Sequence, residues 1–286
     1  MYEIRSLKES DREDILEIAG HTWGGYDYLP YSFNGWMSDP DSHTACIEQE
    51  GHVVALANLR IIENGRTGWM EGLRVHHEHR GKGFASLLTD HVVETGQKLG
   101  VERLRYTTAT TNVESIHLAK KLGMERMFDL AVYWHGDPTE IKWSHYEKGI
   151  VEMGPGELHS LLIQSRIVPS NIIVYDWKAI DSSTEGIMKL AELSKLWAQV
   201  EEGEVTSFSL GFSHDTLHGL EWSFTIYTHD INGFLDHLSH HIELAQEAAC
   251  DGFFMIFPTR FMEPLRSFDW IEQHEDIQLT LFERLL

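Results

Sequence analysis

The chain has 286 residues, 42% hydrophobic and 24% charged, which is ordinary composition for a globular protein and enough length for two domains. Its formal net charge of −22 argues against nonspecific binding to nucleic acid or to an anionic membrane, since both need basic surface. The apolar runs are too short for a membrane-spanning helix, and two cysteines are too few for a disulfide framework. With an N-terminus that lacks a secretory pattern, these features predict a cytoplasmic protein.

The first half alternates strands and helices in the pattern of a mixed α/β domain, predicted at residues 1–140. Apolar periodicity and turn residues predict a strand at 2–6, a helix at 9–20, an irregular aromatic segment at 21–43, strands at 44–48, 53–63 and 69–76, a helix at 84–99, a strand at 104–109, a helix at 113–122 and a strand at 127–134.

Glycine and proline are frequent between residues 136 and 170, so 141–170 is predicted to be a linker and 171–286 a second domain. Its predicted elements are a strand at 171–177, a helix at 185–198, strands at 204–212 and 221–228, a helix at 231–249, and strands at 253–258 and 278–283. The two halves share a rough element order, which hints at a duplication. The predicted fold class is therefore α/β, with α+β character.

A strand, a basic glycine loop and a helix start follow one another between residues 69 and 85. The loop and the first helical residues are Arg80, Gly81, Lys82, Gly83, Phe84 and Ala85. Glycine permits positive φ, and the free N–H groups at a helix N-terminus bind anions with help from the helix dipole. The segment matches neither the Walker nor the Rossmann pattern, and its context favours a pyrophosphate-binding loop over a plain turn.

This loop resembles the Arg/Gln-x-x-Gly-x-Gly/Ala signature of GNAT acetyltransferases. Residues 112–124 resemble the family's second motif, an Asn that begins a helix ending in Leu-Gly. The resemblance covers about residues 2–135 and implies a mostly antiparallel GNAT sheet flanked by helices, acetyl-CoA as co-substrate, and a degenerate GNAT-like domain at 171–286. It assigns to cofactor binding Leu73, Arg74, Val75, Arg80, Gly81, Lys82, Gly83, Phe84, Ala85, Asn112 and Ser115.

Acetyl transfer needs a neutral amine, a polarised thioester carbonyl and close positioning of the two. Glu71 matches a carboxylate that several relatives use as a base, and a structural role is the alternative. Many GNAT enzymes have a proton-donating tyrosine seven residues after the motif's Asn, but that position is Ala119 here. Tyr133 is the candidate replacement, unless the thiolate leaves unassisted.

Three segments together resemble vertebrate histidine N-acetyltransferases and their relatives: Gly24-Gly25-Tyr26-Asp27-Tyr28-Leu29-Pro30, Glu71-Gly72-Leu73-Arg74-Val75 and Arg80-Gly81-Lys82-Gly83. The implied reaction is acetylation of the α-amino group of a free amino acid such as histidine, with a small-molecule amine as partner. The candidate substrate residues are Trp23, Tyr26, Asp27 and Tyr28. Core packing is the alternative for the aromatic rings. Asp27 and Glu71 are candidates to contact an ammonium or imidazole, and Arg74 is a candidate to contact a carboxylate, with a surface ion pair as the alternative for Arg74. Other functional hypotheses are acetylation of a protein or peptide amine, and a non-catalytic acetyl-CoA-binding regulator.

Histidines cluster in two places, around the glycine loop and at helical spacing from His237 to His241. Because no Cys partners or His-Glu-x-x-His spacing accompany them, no metal is expected. The second half has no counterpart of the basic glycine loop, since residues 229–233 read His-Asp-Ile-Asn-Gly. It is expected to lack a cofactor site and to cover a sheet edge, shape the substrate pocket or form a homodimer.

Overall fold

The structure is a computed structural model that describes residues 1–25, 27–145, 149–216, 219–272 and 277–286. The chain forms two compact units. The first comprises residues 1–106, 118–125 and 282–286, and the second comprises residues 107–117 and 126–281. The chain therefore passes between the units more than once, and the domain boundaries expected from the sequence remain a prediction.

The strands and helices alternate along the chain. The strands are β1 Tyr2–Ser6, β2 Ser42–Gln49, β3 His52–Ile62, β4 Thr67–Val75, β5 Arg103–Ala109, β6 Glu125–His135, β7 Val151–Glu152, β8 Ile172–Tyr175, β9 Lys178–Asp181, β10 Lys195–Glu201, β11 Glu204–Thr216, β12 Gly219–Thr228, β13 Gly252–Pro258 and β14 Gln278–Leu285. The α-helices are α1 Arg12–Gly20, α2 Leu29–Ser38, α3 Phe84–Leu99, α4 Val113–Lys121, α5 Pro155–Ser165, α6 Thr184–Leu193, α7 Ile231–Glu247 and α8 Met262–Leu265.

In the first unit, β1 to β4 pair in antiparallel fashion in the order β1-β2-β3-β4. The turns at Gly51 and Gly65 have φ of +88° and +86°, values that favour glycine and permit tight hairpins. Strand β4 then pairs in parallel with β5 through the crossover helix α3. Helices α1 and α2 share a buried apolar cluster with β2 and β3, so the middle of this sheet is rigidly supported.

In the second unit, the strand order is β6-β13-β12-β11-β10-β7, antiparallel except for the parallel pair β12 and β13. Helix α7 packs on this sheet through Phe234, Leu238 and Ile242, which join an apolar cluster with Trp222 and Phe224. The β8–β9 hairpin is tied to β12, since the hydroxyl of Tyr227 accepts a hydrogen bond from the N–H of Val174 at 2.6 Å.

Three predictions about local structure were wrong. The segment 21–43, expected to be irregular, contains α2. Its proline lies in the first helical turn, where a missing N–H costs nothing, and Leu29, Phe33 and Trp36 form a buried stripe at helical spacing. The segment 141–170, expected to be a linker, contains α5, which likewise starts at a proline, Pro155.

The third error is the helix predicted at 185–198. Helix α6 ends at Leu193, and the next residues form β10, in which Leu196, Trp197 and Ala198 are buried. Pairing with β11 therefore overrides the local helical pattern. Within the described residues, no helix combines the length and apolarity that a membrane-spanning segment needs.

Candidate active site

Strand β4 contains a bulge next to Glu71. Arg74 on β4 pairs with Leu56 on β3, and Glu71 pairs with Asn58. The two residues of β4 between these pairs, Gly72 and Leu73, therefore oppose a single residue of β3. Gly72 has φ of +68°, and a Cβ there would lie 2.2 Å from Cη2 of Trp36. Glycine is therefore required at this position by both backbone conformation and space.

Beyond its first residues, β4 has one open edge. The parallel pairing with β5 runs only from Thr67 to Trp69, and among the described residues no strand pairs with that edge from Met70 to Val75. The N–H of His76 donates to Val54 O at 2.8 Å on the β3 side. Because N–H directions alternate along a strand, the N–H of Val75 faces the open edge, where an extended amide-bearing chain could pair with it.

The glycine loop leaves the N-terminus of α3 accessible. Gly83 is the N-cap residue with φ of +85°, and it has no side chain with which to cap the helix. A Cβ added at Gly81 or Gly83 would meet no described atom within 4 Å, so both glycines serve backbone conformation and not close packing. Arg80 and Lys82 are exposed beside them. The free N–H groups and the two cations fit a phosphate anion.

The hydroxyl of Tyr28 accepts a hydrogen bond from the N–H of Gly72 at 3.0 Å, which ties the segment before α2 to the bulge. Burial of this hydroxyl raises the pKa of Tyr28 to about 12, although 40% of the residue remains exposed. The ring of Trp36 lies below Gly72 and edge-on to that of Tyr28. Sequence analysis proposed Tyr28 as a pocket residue but missed both its hydrogen bond and Trp36.

Asp27 and Arg74 form a bidentate ion pair. Arg74 Nε donates to Asp27 Oδ2 at 2.8 Å and Nη2 donates to Oδ1 at 3.1 Å, with the Asp27 side chain fully buried. The guanidinium lies 4.2 Å from the ring centre of Trp23, which is itself 58% exposed. The two side chains thus neutralise each other, and Trp23 covers the pair from the solvent side.

The carboxylate of Glu71 is held by an amide that sequence analysis missed. Asn58 Nδ2 donates to Glu71 Oε1 at 2.9 Å, and Thr44 Oγ1 donates to Asn58 Oδ1 at 2.8 Å. Asn58 is fully buried, whereas Glu71 is half-buried. The signal in the sequence was a single amide inside the otherwise apolar run of residues 53–59.

Four histidine rings gather beside the glycine loop. His77 lies between His21 and His76, with ring centres 4.0 and 4.4 Å away, and His79 stacks on Phe84 at the start of α3. Desolvation and the neighbouring His21 and His76 lower the pKa of His77, and desolvation and Lys82 lower that of His79. Over the described ranges, no three His, Cys, Asp or Glu side chains form a metal-binding group.

Several predicted site residues lie in the second unit. Asn112 caps α4, because its Oδ1 accepts a hydrogen bond from the N–H of Ser115 at 3.1 Å. The hydroxyl of Tyr133 accepts from the N–H of Glu272 at 3.0 Å and lies 3.2 Å from His135 Nδ1. Burial raises the pKa of Tyr133. Tyr26, a predicted substrate residue, lies outside the described residues.

The first helical turn of α7 differs from that of α3. Asp230 is its N-cap residue, and its Oδ2 accepts a hydrogen bond from the N–H of Gly233 at 2.9 Å. A Cβ at Gly233 would lie 3.0 Å from Thr228 Oγ1. The positive end of this helix is therefore occupied by the chain's own carboxylate, which would repel a phosphate.

The comparisons with known proteins place the glycine loop in a family. The model of the acetyltransferase (GNAT) family matches residues 5–124. Those residues belong to the GNAT family. The human protein named "Probable N-acetyltransferase 16" is 28% identical over 207 residues, which are 66% of this chain and 56% of that protein. Histidine N-acetyltransferase of Scomber australasicus is 36% identical over 80 residues, which are 28% of this chain and 24% of that enzyme.

The chain thus spans about half the length of the first curated relative and about a quarter of the second. A tandem GNAT protein from the clavulanic acid biosynthesis pathway is similar in structure, with a TM-score of 0.58 over 100% of this chain and 98% of that one at 13% identity. Such low identity supports the fold alone. The predicted fold class, a mixed α/β GNAT fold with a GNAT-like second half, is confirmed.

Within the GNAT region, the first compact unit unites most of the predicted site residues. They are Trp23, Asp27, Tyr28, Glu71, Leu73, Arg74, Val75, Arg80, Gly81, Lys82, Gly83, Phe84 and Ala85. Asn112, Ser115 and Tyr133 are assigned to the other unit. Ala119, at the usual tyrosine position, is fully buried and has no group that could donate a proton.

Proposed function

We propose that the protein is an acetyl-CoA-dependent N-acetyltransferase whose reaction takes place along β4 of the GNAT domain. The observation that carries this proposal is the open glycine loop at α3, which continues from a bulged strand edge that bears Glu71. The proposed acceptor is a small-molecule primary amine, namely the α-amino group of a free amino acid such as histidine. The name of the Scomber australasicus relative supports that choice of acceptor.

Acetyl-CoA would supply the acetyl group and release coenzyme A as the leaving thiolate, and the chain's residues would bind it in two places. The backbone N–H groups from Gly81 to Ala85 accommodate the pyrophosphate, with Arg80 and Lys82 adding positive charge in a chain of net charge −22. The open edge of β4 accommodates the amide-containing arm through Val75 and its neighbours.

Glu71 acts as the base in this proposal. It accepts the proton that the substrate ammonium loses, directly or through one water, so that the neutral amine can attack. As the new C–N bond forms, the C–S bond breaks and the electron pair leaves on sulfur. The nitrogen then loses a second proton, which the departing thiolate takes up through water, so that the products are the amide and the free thiol. The N–H of Leu73 in the bulge stabilises the negative charge on the carbonyl oxygen, since alternation directs the N–H of Arg74 toward β3.

The ion pair changes which residues are proposed to bind the charged groups of the substrate. Asp27 and Arg74 satisfy each other, so neither is assigned to bind an opposite charge on the substrate. The exposed rings of Trp23 and Tyr28 form walls of the proposed substrate pocket, and the half-buried carboxylate of Glu71 attracts the substrate ammonium. The proposed pocket is therefore an aromatic surface with one available carboxylate.

The test compares the wild-type protein with Glu71→Gln in an assay of thiol release from acetyl-CoA with L-histidine. Loss of the base should lower kcat by roughly 10²–10⁴-fold, with little change in the affinity for coenzyme A. Glu78→Gln serves as the matched control, because Glu78 is an exposed carboxylate seven residues away. Equal turnover of wild type and Glu71→Gln over the whole pH range would remove Glu71 from the mechanism.

A further inference from the structure

Three polar side chains form a row across the strands of the GNAT domain. Thr44 on β2 lies directly opposite Asn58 on β3, and Asn58 lies directly opposite Glu71 on β4. Neighbouring positions in register place their side chains on the same face of a sheet. The row therefore connects a half-buried threonine, through a fully buried amide, to the proposed base.

The hydrogen bonds fix the orientation of the Asn58 amide. Its Oδ1 accepts from Thr44 Oγ1 at 2.8 Å, while Nδ2 donates to Glu71 Oε1 at 2.9 Å and to Ser42 Oγ at 3.4 Å. The opposite orientation would place Oδ1 against a carboxylate oxygen, so two acceptors would face each other. The carboxylate of Glu71 thus selects this orientation of the amide, and the Thr44 hydroxyl, which can donate or accept, completes it by donating to Oδ1.

Packing alone does not explain an amide at this position. Residues 53–59 of β3 are all buried, and Asn58 is the polar residue among valine, alanine and leucine. A buried amide costs free energy unless its polar atoms are hydrogen-bonded, whereas leucine would fill the same space without that cost. The hydrogen bond from its Nδ2 to the carboxylate of Glu71 explains why an amide occupies this position.

We propose that Asn58, which accepts a hydrogen bond from Thr44, is a positioning residue that holds Oε1 of Glu71 in a fixed place beside the β4 bulge. The proposal rests on the proposed base role of Glu71. Holding Oε1 fixes the direction of Oε2, which is then the oxygen that takes the proton from the substrate ammonium.

The first experiment uses Asn58→Leu in the full-length protein. In assays kcat should fall roughly ten- to a hundredfold, as for loss of a hydrogen bond to a charged group, because Oε1 of Glu71 is no longer held. The KM for acetyl-CoA should stay within about twofold, because cofactor binding is unaffected.

Thr44→Val and Thr44→Ser provide a matched pair that leaves Asn58 in place. Valine has the shape of threonine but no donor, so it should lower kcat in the same direction as Asn58→Leu, and serine should restore kcat. In a Glu71→Gln background, Asn58→Leu should cause no further loss of kcat, since residues that act as a unit are not additive.

The outcomes separate this proposal from the proposed function. An unchanged kcat in both Asn58→Leu and Thr44→Val overturns the positioning role, even if the wild-type protein is active. A Glu71→Gln variant of full activity contradicts the base role on which the proposal depends, whatever the two other variants do. A loss of activity that only follows the folded fraction of Asn58→Leu also overturns it.

Discussion

The hydroxyl of Tyr28 accepts a hydrogen bond from the backbone N–H of Gly72 in the β4 bulge at 3.0 Å. This contact joins the aromatic segment before α2 to the strand on which the reaction is proposed to occur. It explains how a locally irregular loop can be held in a fixed position over a bulged strand, and it gives the bulge N–H a partner.

The Tyr28→Phe variant should therefore destabilise the GNAT domain. Removing the acceptor leaves the Gly72 N–H without its partner, which costs about 1–3 kcal/mol in unfolding free energy. Tyr31→Phe is the control, because Tyr31 is 64% exposed. Urea unfolding would compare the two, and equal stability of both variants would contradict the role given to this hydroxyl.

The ion pair of Asp27 and Arg74 leads to a prediction about stability and not about catalysis. Asp27→Asn leaves a largely buried guanidinium without its counterion and should cost roughly 3–5 kcal/mol. The double variant Asp27→Leu with Arg74→Met should be less destabilised than either single charge removal, since no unpaired charge remains. Thermal unfolding checks this order, and additive losses would contradict the coupling.

The two cations of the glycine loop should contribute to coenzyme A affinity. Lys82→Ala and Arg80→Ala should each weaken binding by roughly three- to tenfold at low salt, and the effect should shrink at high salt because the charges are exposed. Lys98→Ala at the other end of α3 is the matched control. Calorimetry at two ionic strengths would measure this, and equal effects of all three substitutions would point to net charge alone.

Each chain should bind one molecule of coenzyme A. The N-terminus of α7 is capped by Asp230, whereas that of α3 begins at a glycine. Gly83→Asp would place a carboxylate at the first site and should abolish cofactor binding, through repulsion and because a side chain is strained at the positive φ of Gly83. A circular dichroism spectrum like that of the wild type would confirm that α3 persists. A stoichiometry of two would contradict this reading of α7.

The buried histidines of α7 predict acid sensitivity of the second unit. Burial lowers the pKa of His237 to about 3, and that of His241 falls well below its ordinary value. The folded state therefore binds fewer protons than the unfolded chain. Stability is complete above the ordinary histidine pKa near 6.5 and declines below it, by up to about 1.4 kcal/mol per pH unit for each residue.

Urea unfolding at pH 7.5, 6.0 and 5.0 measures this decline. The His237→Gln variant should show a shallower dependence on pH than the wild type, whereas His229→Gln should behave as the wild type because His229 is exposed. A wild-type stability that does not change between pH 7.5 and 5.0 would mean that the histidines of α7 are not kept neutral by burial.

The sequence was sufficient to predict the strand, glycine loop and helix from β4 to α3. These features depend on residues close together in the chain, since apolar periodicity sets α3 and glycines set the loop. The GNAT resemblance rested on the same local pattern, and the family match confirmed it. The sequence also indicated Glu71 as a candidate base and Asp27 as a candidate substrate residue.

The partners of these residues could not be predicted in the same way. That Gly72 must be glycine follows from the ring of Trp36, far away in the sequence. That Asn58 faces Glu71 follows from strand register, which the bulge itself shifts. Helix α2 was missed because Pro30 and Gly35 resemble helix breakers, although proline is compatible with a first turn.

The proposed acetyl transfer is tested most directly by identifying the product of the reaction. Wild-type protein would be incubated with acetyl-CoA and L-histidine, then with other free amino acids, polyamines and peptides, while thiol release is measured and the acetylated amine is identified by mass spectrometry. We expect stoichiometric thiol and N-acetyl product with a free amino acid, and loss of both in Glu71→Gln. Tight cofactor binding with neither thiol nor product over the whole panel would contradict the proposed acetyl transfer.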